Sequence, residues 1–421
     1  MKKSIVISIL GGLIVAAPVM AANYDMYITG STAFRPNVFS AISKIFDGGV
    51  PTSSNKGTGV APTGSDNQWT MIGTCANLGV TSGSDTLTIH ALFTGSVQGI
   101  SSMLNKDQLV FFKNATLGDT ALVTNTASIA FSDVYSKPAL YHLPTDGSFA
   151  EDDVAVQPFA FFRSTGLGDL QNLANITVQQ VYAFMQPGVL PLSYLDGNMN
   201  DYGTNVYLLH RTLDSGTRVT TVQESKWNGS IAIRYYNPGG DNFINATTNR
   251  GPAQFGPGYV GGADLRAALQ TATAGGQSIG YLSFADGRTV TGVNWQNMLS
   301  YNGIYPIANW TPGSSWTATT NDFTPVTSGK YSFWATEVLD HPATSTEWNT
   351  FLAAGQNLSF SQINALIGRL EATYSGSGTL NGSIDYEIEL SKTTSPNWAT
   401  AIRLNDMQVT RQSVGGVIAP N

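Results

Sequence analysis

The sequence predicts an α/β protein with two lobes, and three observations lead to this fold class. Strand-like runs alternate with helix-like runs over most of the chain, which is typical of α/β folds. The 421 residues exceed what a single hydrophobic core usually supports. Only 12% of the residues are charged, whereas 44 are Gly, as in exported proteins that are rich in turns. We therefore expect two lobes in which strands and loops are frequent.

Residues 1–21 have the features of a secretory signal peptide. Lys2 and Lys3 give a basic start, and residues 5–15 form an apolar run that is short for a membrane span. We expect cleavage before Ala22 and a soluble mature protein in the periplasm. No Cys stands at the predicted cleavage site, so a lipid anchor attached there is excluded.

Net charge and the rare residue types exclude several function classes. The charge of −7 argues against nucleic acid as a partner, because phosphate backbones require a basic surface. Cys75 is the single cysteine, so no disulfide can form within the chain, and we expect a structural role for it. The four histidines show no metal-ligand spacing, and neither an HExxH nor a CxxC motif occurs. The sequence thus predicts no metal and no cofactor.

The first lobe is predicted to begin with a strand at residues 24–29. A helix follows, because apolar residues recur at spacings of three and four at Phe34, Val38, Ile42 and Ile45. Residues 47–85 are rich in Gly, Ser, Thr and Asn and predict a long surface excursion. Residues 86–93 and 127–131 then predict two further strands.

A long apolar strand at residues 154–162 marks the predicted crossing into the second lobe. A helix bearing Val178, Val181 and Met185 comes next. Residues 206–209 predict a strand that leads into another helix. Residues 236–262 form a second excursion rich in Gly and Asn.

The chain is predicted to return to the first lobe after a strand at residues 278–284. The C-terminal part then resumes the alternation with a strand at residues 331–338 and a helix at Ile363 to Leu370, capped by Ser359 or Ser361. The predicted domain boundaries are 22–153 together with 290–421 for the first lobe, and 154–289 for the second.

Three strand-to-helix junctions share one chemical design. Each places a Gly and a small hydroxyl residue where a strand ends and a helix begins, at Gly30-Ser31-Thr32, Thr94-Gly95-Ser96 and Ser215-Gly216-Thr217. A helix N-terminus is partly positive and leaves backbone N–H groups without partners, so an anion is favourable there. One such junction is commonly only a helix cap, but three in one chain predict an anion-binding site.

Arg211 and Asp133 add charge to the predicted site. Arg211 lies four residues before Ser215, and its planar guanidinium matches two oxygens of a phosphate or a sulfate. Asp133 follows an apolar strand and is either a turn residue or an acceptor that faces the anion. As an acceptor it would favour phosphate, because sulfate at neutral pH has no proton to donate.

The order and spacing of these segments resemble the periplasmic phosphate-binding proteins of ABC transporters, the PstS-like family. The matching segments are Gly30-Ser31-Thr32-Ala33-Phe34, Gly95-Ser96-Val97-Gln98-Gly99, Ser132-Asp133, the run from Arg211 to Thr217, and Ile279-Gly280-Tyr281. The resemblance implies a type 2 periplasmic-binding-protein fold with a hinge between the lobes. It also implies a monomer that captures inorganic phosphate for an ABC permease of the inner membrane.

The same resemblance implies a role for ten residues. Donors from the first lobe would be either Ser31 or Thr32, the backbone near Ala33 and Phe34, and Ser96. Asp133 would accept the phosphate proton. The second lobe would contact the anion through Arg211, Ser215, Gly216 and Thr217.

Two positions depart from the family pattern. The acidic residue expected two places after Arg211 is Leu213, with Asp214 one place later, so the sequence leaves open what holds the guanidinium. Arg35 adds a positive charge beside the first junction.

Two other functions are open to this sequence. One is the binding of another oxyanion or an organic phosphate, or a surface role that reuses the fold without transport. The other is hydrolysis of a phosphoester, which is disfavoured because no base or metal cluster is positioned to activate a hydroxyl nucleophile. The sequence therefore predicts a binding protein rather than an enzyme.

Overall fold

Strands and helices alternate around one large sheet, which confirms the predicted α/β class. The computed structural model describes residues 22–78, 80, 85–137, 139, 143–164, 169–185, 187–227, 258–271, 277–287, 297–310, 322–352, 356–392, 400–411 and 416–421. The predicted signal peptide lies outside the described residues, as does most of the predicted excursion at residues 236–262. Nowhere in the described ranges is a helix long and apolar enough to form a membrane span.

The strands of the described residues are β1 (Asn23–Gly30), β2 (Ser53–Asn55), β3 (Gln68–Gly73), β4 (Thr86–Leu92), β5 (Leu109–Phe112), β6 (Leu122–Asn125), β7 (Ile129–Ser132), β8 (Phe149–Arg163), β9 (Asn175–Ile176), β10 (Val189–Pro191), β11 (Asn205–Leu209), β12 (Gln277–Ser283), β13 (Met298–Tyr301), β14 (Trp334–Pro342), β15 (Val409–Arg411) and β16 (Ile418–Pro420).

The helices of the same residues are α1 (Arg35–Ile45), α2 (Ser96–Asn105), α3 (Val178–Met185), α4 (Ser193–Asp196), α5 (Gly216–Glu224), α6 (Gly262–Thr271), α7 (Phe284–Gly287), α8 (Thr324–Thr327), α9 (Ser345–Leu352), α10 (Phe360–Glu371) and α11 (Ile384–Ser391).

The large sheet has the strand order β10-β11-β12-β8-β14-β7-β1-β4-β3-β2, and β13 and β9 branch from β8. Strands β7, β1 and β4 are parallel to one another, and β11 is parallel to β12. The long strands β8 and β14 are antiparallel and lie between these two parallel groups. Through these antiparallel pairings the two parallel groups run in opposite directions, so the carboxyl ends of each group point toward the other half of the protein. Open α/β sheets bind ligands at the carboxyl ends of their parallel strands.

Among the described residues, two large clusters of buried apolar side chains form two cores, and a small third cluster contains Tyr27, Phe111 and Ala127. The first core packs strands β1, β3, β4 and β7 against helices α1, α9, α10 and α11, with Trp69, Trp348 and Phe131 among its largest side chains. The second core packs β11, β12, β13 and the second half of β8 against α3 and α6, and it includes Tyr281 and Tyr301. Two cores are what the chain length predicts.

The segment at residues 47–85 differs from the predicted surface excursion. It contributes β2 and β3 to the large sheet, and β3 pairs with β4 in antiparallel register. Trp69 and Met71 on β3 are almost completely buried in the first core. These side chains point to one face of the strand because they are two residues apart, so the segment completes the sheet rather than leaving it.

Residues 298–310 and 322–333 belong to the predicted first lobe, and the structure packs them on the second core. Strand β13 pairs with β8 and β9, and Tyr331 and Phe333 are buried among the side chains of the second core. Strand β14 then pairs with β7, next to the first core. The predicted domain boundary near residue 290 lies before this segment. The packing of the segment instead places the return of the chain to the first half at β14.

Helix α10 forms as the sequence predicts. Ile363, Leu366, Ile367 and Leu370 are all buried in the first core. Ser359 is the N-cap, and it forms a capping box with Gln362, so Ser359 rather than Ser361 starts the helix.

Cys75 is a buried structural thiol, as expected. Its side chain is 1% exposed, and Sγ donates a 3.2 Å hydrogen bond to the carbonyl oxygen of Ile45. Burial raises the pKa of the thiol to about 11, so it is protonated at neutral pH and is a weak nucleophile.

Candidate functional site

The candidate site lies where the carboxyl ends of the parallel strands meet. Strand β1 ends at Gly30, β4 leads into Ser96, β7 leads into Asp133, and β11 leads into Arg211. Hydrogen bonds join these segments directly, although they lie far apart in the chain. The sequence predicts this convergence, because each candidate residue follows a strand of the large sheet.

At the first junction, Thr32 faces the second half of the protein, whereas Ser31 faces its own turn. Ser31 Oγ accepts 3.2 Å hydrogen bonds from the N–H groups of Ala33 and Phe34. Thr32 Oγ1 accepts a 3.0 Å hydrogen bond from Nη2 of Arg211. The two backbone donors predicted to hold an anion therefore stabilise the turn in this arrangement, and Thr32 is the residue that reaches across.

At the second junction, Gly95 allows helix α2 to start against the opposite half of the protein. Its φ of 125° is a conformation that only glycine adopts readily, and an added Cβ would lie 2.5 Å from the carbonyl oxygen of Asp214. The N–H of Val97 donates a 3.1 Å hydrogen bond to that same oxygen. Ser96 Oγ donates to Oδ1 of Asp133 and accepts from the Asp133 N–H.

Asp133 is completely enclosed and is the centre of the hydrogen-bond network. Oδ1 accepts from Ser96, and Oδ2 accepts a 3.0 Å hydrogen bond from Oγ1 of Thr217. Burial raises the pKa of the Asp133 carboxyl, and the hydrogen bond from Ser96 and the charge of Arg211 oppose this shift. The Asp133 carboxylate thus accepts hydrogen bonds from both halves of the protein.

At the third junction, helix α5 presents its N-terminus to Asp133. Ser215 is the N-cap and accepts a hydrogen bond of 3.3 Å from the N–H of Arg218. Gly216 lies so close to the carboxylate that an added Cβ would stand 1.6 Å from Oδ1 of Asp133. The first turn of a helix has N–H groups without intrahelical partners and a partial positive charge, so α5 stabilises negative charge at this position.

Arg211 is buried, and three of the five N–H groups of its guanidinium donate hydrogen bonds to described residues. Nε donates to the carbonyl oxygen of Tyr259 at 3.0 Å, and Nη2 donates to Val260 at 2.8 Å and to Thr32. Nη1 is buried and has no hydrogen-bond partner among the described residues. Burial lowers the pKa of Arg211, and the charges of Asp286 and Asp133 oppose this shift. A buried guanidinium with a free nitrogen is a donor for an added acceptor.

Position 213, where the family pattern has an acidic residue, is Leu in this chain, and the acidic charge near Arg211 comes from Asp286 instead. Leu213 is 45% exposed. Asp286 instead pairs with Arg35 at 3.2 Å, and both side chains are almost completely buried. The Asp286 carboxylate also accepts from Ser283 Oγ and lies against the start of helix α6, where a Cβ on Gly262 would be 1.9 Å from Oδ2. Arg35 is thus an ion-pair partner that connects the two halves.

The sequence analysis assigns no role in the site to two of its contributors, Asp286 and Tyr281. The hydroxyl of Tyr281 accepts a 3.1 Å hydrogen bond from the N–H of Arg211 and lies 3.0 Å from Nδ1 of His210. Burial lowers the pKa of His210 well below its usual value, so this imidazole is neutral and adds no charge. Asp286 follows a buried strand just as Asp133 does, and this shared signal predicts its position.

Seven of the ten predicted residues thus meet at one place, whereas Ser31, Ala33 and Phe34 form the turn beside them. Side chains of Thr32, Ser96, Asp133, Arg211 and Thr217 are linked by direct hydrogen bonds, and Ser215 and Gly216 open the helix that faces them. The arrangement offers hydroxyl groups, a helix N-terminus and one guanidinium nitrogen to an anion, and one carboxylate to a proton.

Comparison with known proteins gives matches in structure only. No protein-family model matches the chain, and no curated protein matches it. Solved structures to which it is similar include a phosphate-binding protein from Stenotrophomonas maltophilia, at 12% identity and a TM-score of 0.43 over 91% of each chain. An ABC-type phosphate transport receptor from Vibrio cholerae has 13% identity and a TM-score of 0.37, over 82% of this chain and 97% of that one. PstS from Borrelia burgdorferi has 14% identity and a TM-score of 0.30, over 80% and 97%.

Proposed function

We propose that the protein is an exported solute-binding protein that holds inorganic phosphate between its two cores and passes it to an ABC permease of the inner membrane. The observation that supports this most is the buried guanidinium of Arg211, whose Nη1 has no partner in the described residues although Thr32 and two carbonyl groups bind its other nitrogens. A bound dianion supplies the acceptor and the opposite charge that this group requires.

The ring of hydroxyl groups around Asp133 suits a tetrahedral oxyanion. Ser96 and Thr217 approach its two carboxylate oxygens from opposite halves of the protein. Hydroxyl groups rotate freely, so the same two groups can donate to oxygen atoms of a ligand as readily as to a carboxylate. The N-terminus of α5 adds backbone donors and a favourable dipole on the same side.

Asp133 provides the proposed preference for phosphate over sulfate. Burial raises the pKa of its carboxyl, so this group binds a proton more readily than an exposed carboxyl does. Phosphate at neutral pH carries a proton that it can share with the carboxylate, whereas sulfate meets it only with negative charge. Selectivity then depends on one carboxyl group rather than on the size of the site.

Capture requires the two halves to separate and close again. Three kinds of contact span them here: the Arg35–Asp286 ion pair, the Thr217–Asp133 hydrogen bond and the Val97–Asp214 backbone hydrogen bond. A ligand that binds both halves shifts the equilibrium toward this closed arrangement by as much as it prefers that state.

Calorimetric titration of the mature protein with phosphate, arsenate and sulfate tests the proposal. We expect phosphate and arsenate to bind with similar affinity at one site per chain, because both are protonated tetrahedral oxyanions near neutral pH. Sulfate is expected to bind at least 100-fold more weakly, which corresponds to roughly 2.7 kcal/mol or more. The absence of phosphate binding in protein that has been unfolded, dialysed and refolded would contradict the proposal.

A second candidate is a surface protein that reuses the fold without transport. It is favoured by one observation: the halves already bind each other through Thr217 and Asp133 at the place where an anion would lie. Thermal unfolding separates the two candidates. A phosphate carrier gains about 2.7 kcal/mol at a ligand concentration 100 times Kd, whereas a protein without a ligand site keeps its unfolding temperature at every phosphate concentration.

A further inference from the structure

A cluster of three possible metal ligands lies in the first half of the protein, apart from the anion site. Asp152 on β8, His341 on β14 and Glu371 at the end of α10 bring one ligand atom each within 4.8 Å of the others. They come from three separate elements, so no regular spacing in the sequence indicates the cluster. His341 is buried, and Asp152 is 45% exposed, so the cluster is reachable from solvent on one side.

The hydrogen bonds of His341 fix which ring nitrogen can bind a cation. Nδ1 lies 3.0 Å from the carbonyl oxygen of Pro342, which only accepts, so Nδ1 carries the hydrogen. In a neutral ring, Nε2 then holds a lone pair, and it lies 2.6 Å from Oδ2 of Asp152. Two lone pairs at that distance require a positive species between them, either a proton or a metal ion.

Glu371 distinguishes this cluster from an ordinary His–Asp pair. Its Oε1 atom is buried and has no hydrogen-bond partner in the part of the chain that the structure describes. In the cluster, a carboxylate oxygen of Glu371 lies within 4.8 Å of a carboxylate oxygen of Asp152. Two carboxylates facing one another in a partly buried place are unfavourable unless a cation compensates them.

Acidic groups around the cluster add to the negative potential. Asp340, next to His341 in β14, is completely buried, and neither of its carboxylate oxygens has a hydrogen-bond partner among the described residues. A divalent cation beside Asp152 offsets this negative potential.

We propose that Asp152, His341 and Glu371 bind one divalent transition-metal ion, with Zn²⁺ preferred. One imidazole and two carboxylates are a ligand set that Zn²⁺ accepts, with water completing four-coordination on the exposed side. Ligand atoms around a tetrahedral Zn²⁺ lie about 3.4 Å apart, so small rotations of these side chains suffice. The ion would fix the C-terminal end of α10 to strands β8 and β14, independently of the anion site.

A second His–Asp pair in the same half provides a matched control. His90 Nδ1 lies 2.8 Å from the carbonyl oxygen of Phe112, and Nε2 lies 3.1 Å from Oδ1 of Asp25. The geometry repeats that of His341 and Asp152, but among the described residues this pair has no third ligand within reach. It is therefore expected to bind no metal of its own.

Calorimetric titration of the chelator-treated full-length mature protein with ZnCl₂ tests the proposal. We expect one equivalent of Zn²⁺ to bind, Mn²⁺ to bind more weakly, and the unfolding temperature to rise with the Zn²⁺ concentration. Asp152→Asn and Glu371→Gln each keep the side-chain shape and should weaken Zn²⁺ binding at least tenfold, whereas Asp25→Asn should leave it unchanged. Binding that is lost in Asp25→Asn, or unchanged in both of the other variants, would overturn the assignment.

X-ray absorption at the zinc edge of the wild-type protein gives a test that needs no variant to fold. A single imidazole and oxygen ligands at about 2.0–2.2 Å are expected. Two or more imidazoles, any sulfur ligand, or no Zn²⁺ bound at millimolar concentration would each show that the proposed site is wrong.

Discussion

Nη2 of Arg211 donates a 3.0 Å hydrogen bond to Oγ1 of Thr32, and this contact joins two residues that lie 179 positions apart. Thr32 follows a strand of the first core, and Arg211 follows a strand of the second. Their contact therefore reports directly on how closely the two halves approach. The adjacent Nη1 atom is buried and has no hydrogen-bond partner among the described residues. Substitution of Arg211 is therefore the most direct test of the proposed anion site.

Arg211→Ala should weaken phosphate binding by about 3–5 kcal/mol, because a buried anion loses its charged partner. This corresponds to roughly two to three and a half powers of ten in Kd, measured by calorimetry. Lys113→Ala removes a positive charge from an exposed position and serves as the control. Equal affinities for Arg211→Ala and the wild-type protein would exclude the assigned role.

Asp133→Asn should reduce the preference for phosphate over sulfate. The amide no longer accepts the phosphate proton and no longer repels sulfate, so the ratio of the two dissociation constants should shrink by roughly tenfold to a hundredfold. Parallel titrations with the two anions give this ratio, and Asp119→Asn, on the surface, is the control. An unchanged ratio would show that selectivity arises elsewhere.

Gly216→Ala should separate the two halves of the site. The new Cβ would stand 1.6 Å from Oδ1 of Asp133, so the helix or the carboxylate must move. We expect the free energy of unfolding to fall by about 1–3 kcal/mol and phosphate affinity to drop. Gly203→Ala is the matched control, because nothing lies within 4 Å of the added atom there. Wild-type affinity in Gly216→Ala would argue against an anion held at this helix.

Asp286→Asn should destabilise the protein by about 3–5 kcal/mol, because it leaves the buried guanidinium of Arg35 without its partner. The double variant Arg35→Gln, Asp286→Asn removes both charges and should lose less than the sum of the two single variants. Urea unfolding of the four proteins measures this coupling. Additive losses would indicate that the ion pair between the halves contributes nothing of its own.

Glu337→Gln should flatten the dependence of stability on pH. Glu337 is completely buried on β14, neither carboxylate oxygen has a partner in the described ranges, and burial raises its pKa well above the usual value. The folded protein therefore retains this proton where the unfolded chain has lost it, and stability falls as the pH rises from about 4.5 through the raised pKa.

Urea unfolding from pH 5 to 9 tests this sign. The advantage of the wild-type protein over Glu337→Gln should be greatest at the acidic end and should diminish as the pH rises. Glu347→Gln, at a partly exposed position on α9, provides the comparison. Parallel pH profiles for the wild-type protein and Glu337→Gln would contradict the prediction.

The sequence predicts much of this site because its residues follow strands. Glycine and hydroxyl residues at strand ends, one Arg and one Asp indicate a shared chemistry, and α/β sheets bind ligands at the carboxyl ends of their parallel strands. Asp286 also follows a strand, β12, so its place in the site can be predicted from the sequence in the same way. The carbonyl groups of Tyr259 and Val260 that hold Arg211 give no sequence signal, because every residue carries such an acceptor.

Other parts of the fold depend on long-range pairing that local patterns do not reveal. Strand β3 places Trp69 and Met71 in the first core, but the surrounding Gly and Ser dominate the composition of the segment. Strand β13 belongs to the second core because it pairs with β8. The proposed zinc ligands lie 189 and 30 positions apart along the chain, so only the folded structure brings them together.

The two halves are connected by a hydrogen-bonded ribbon rather than by loose linkers. Strand β8 pairs with β14 from Phe149 to Pro158 and continues into the second half, and Val156 also pairs with Ile402. Any change in the angle between the halves must bend or twist this ribbon, so it acts as an elastic element with a preferred rest angle. The register shift between Glu337 and Val338 interrupts the regular pairing and is where its stiffness should be lowest.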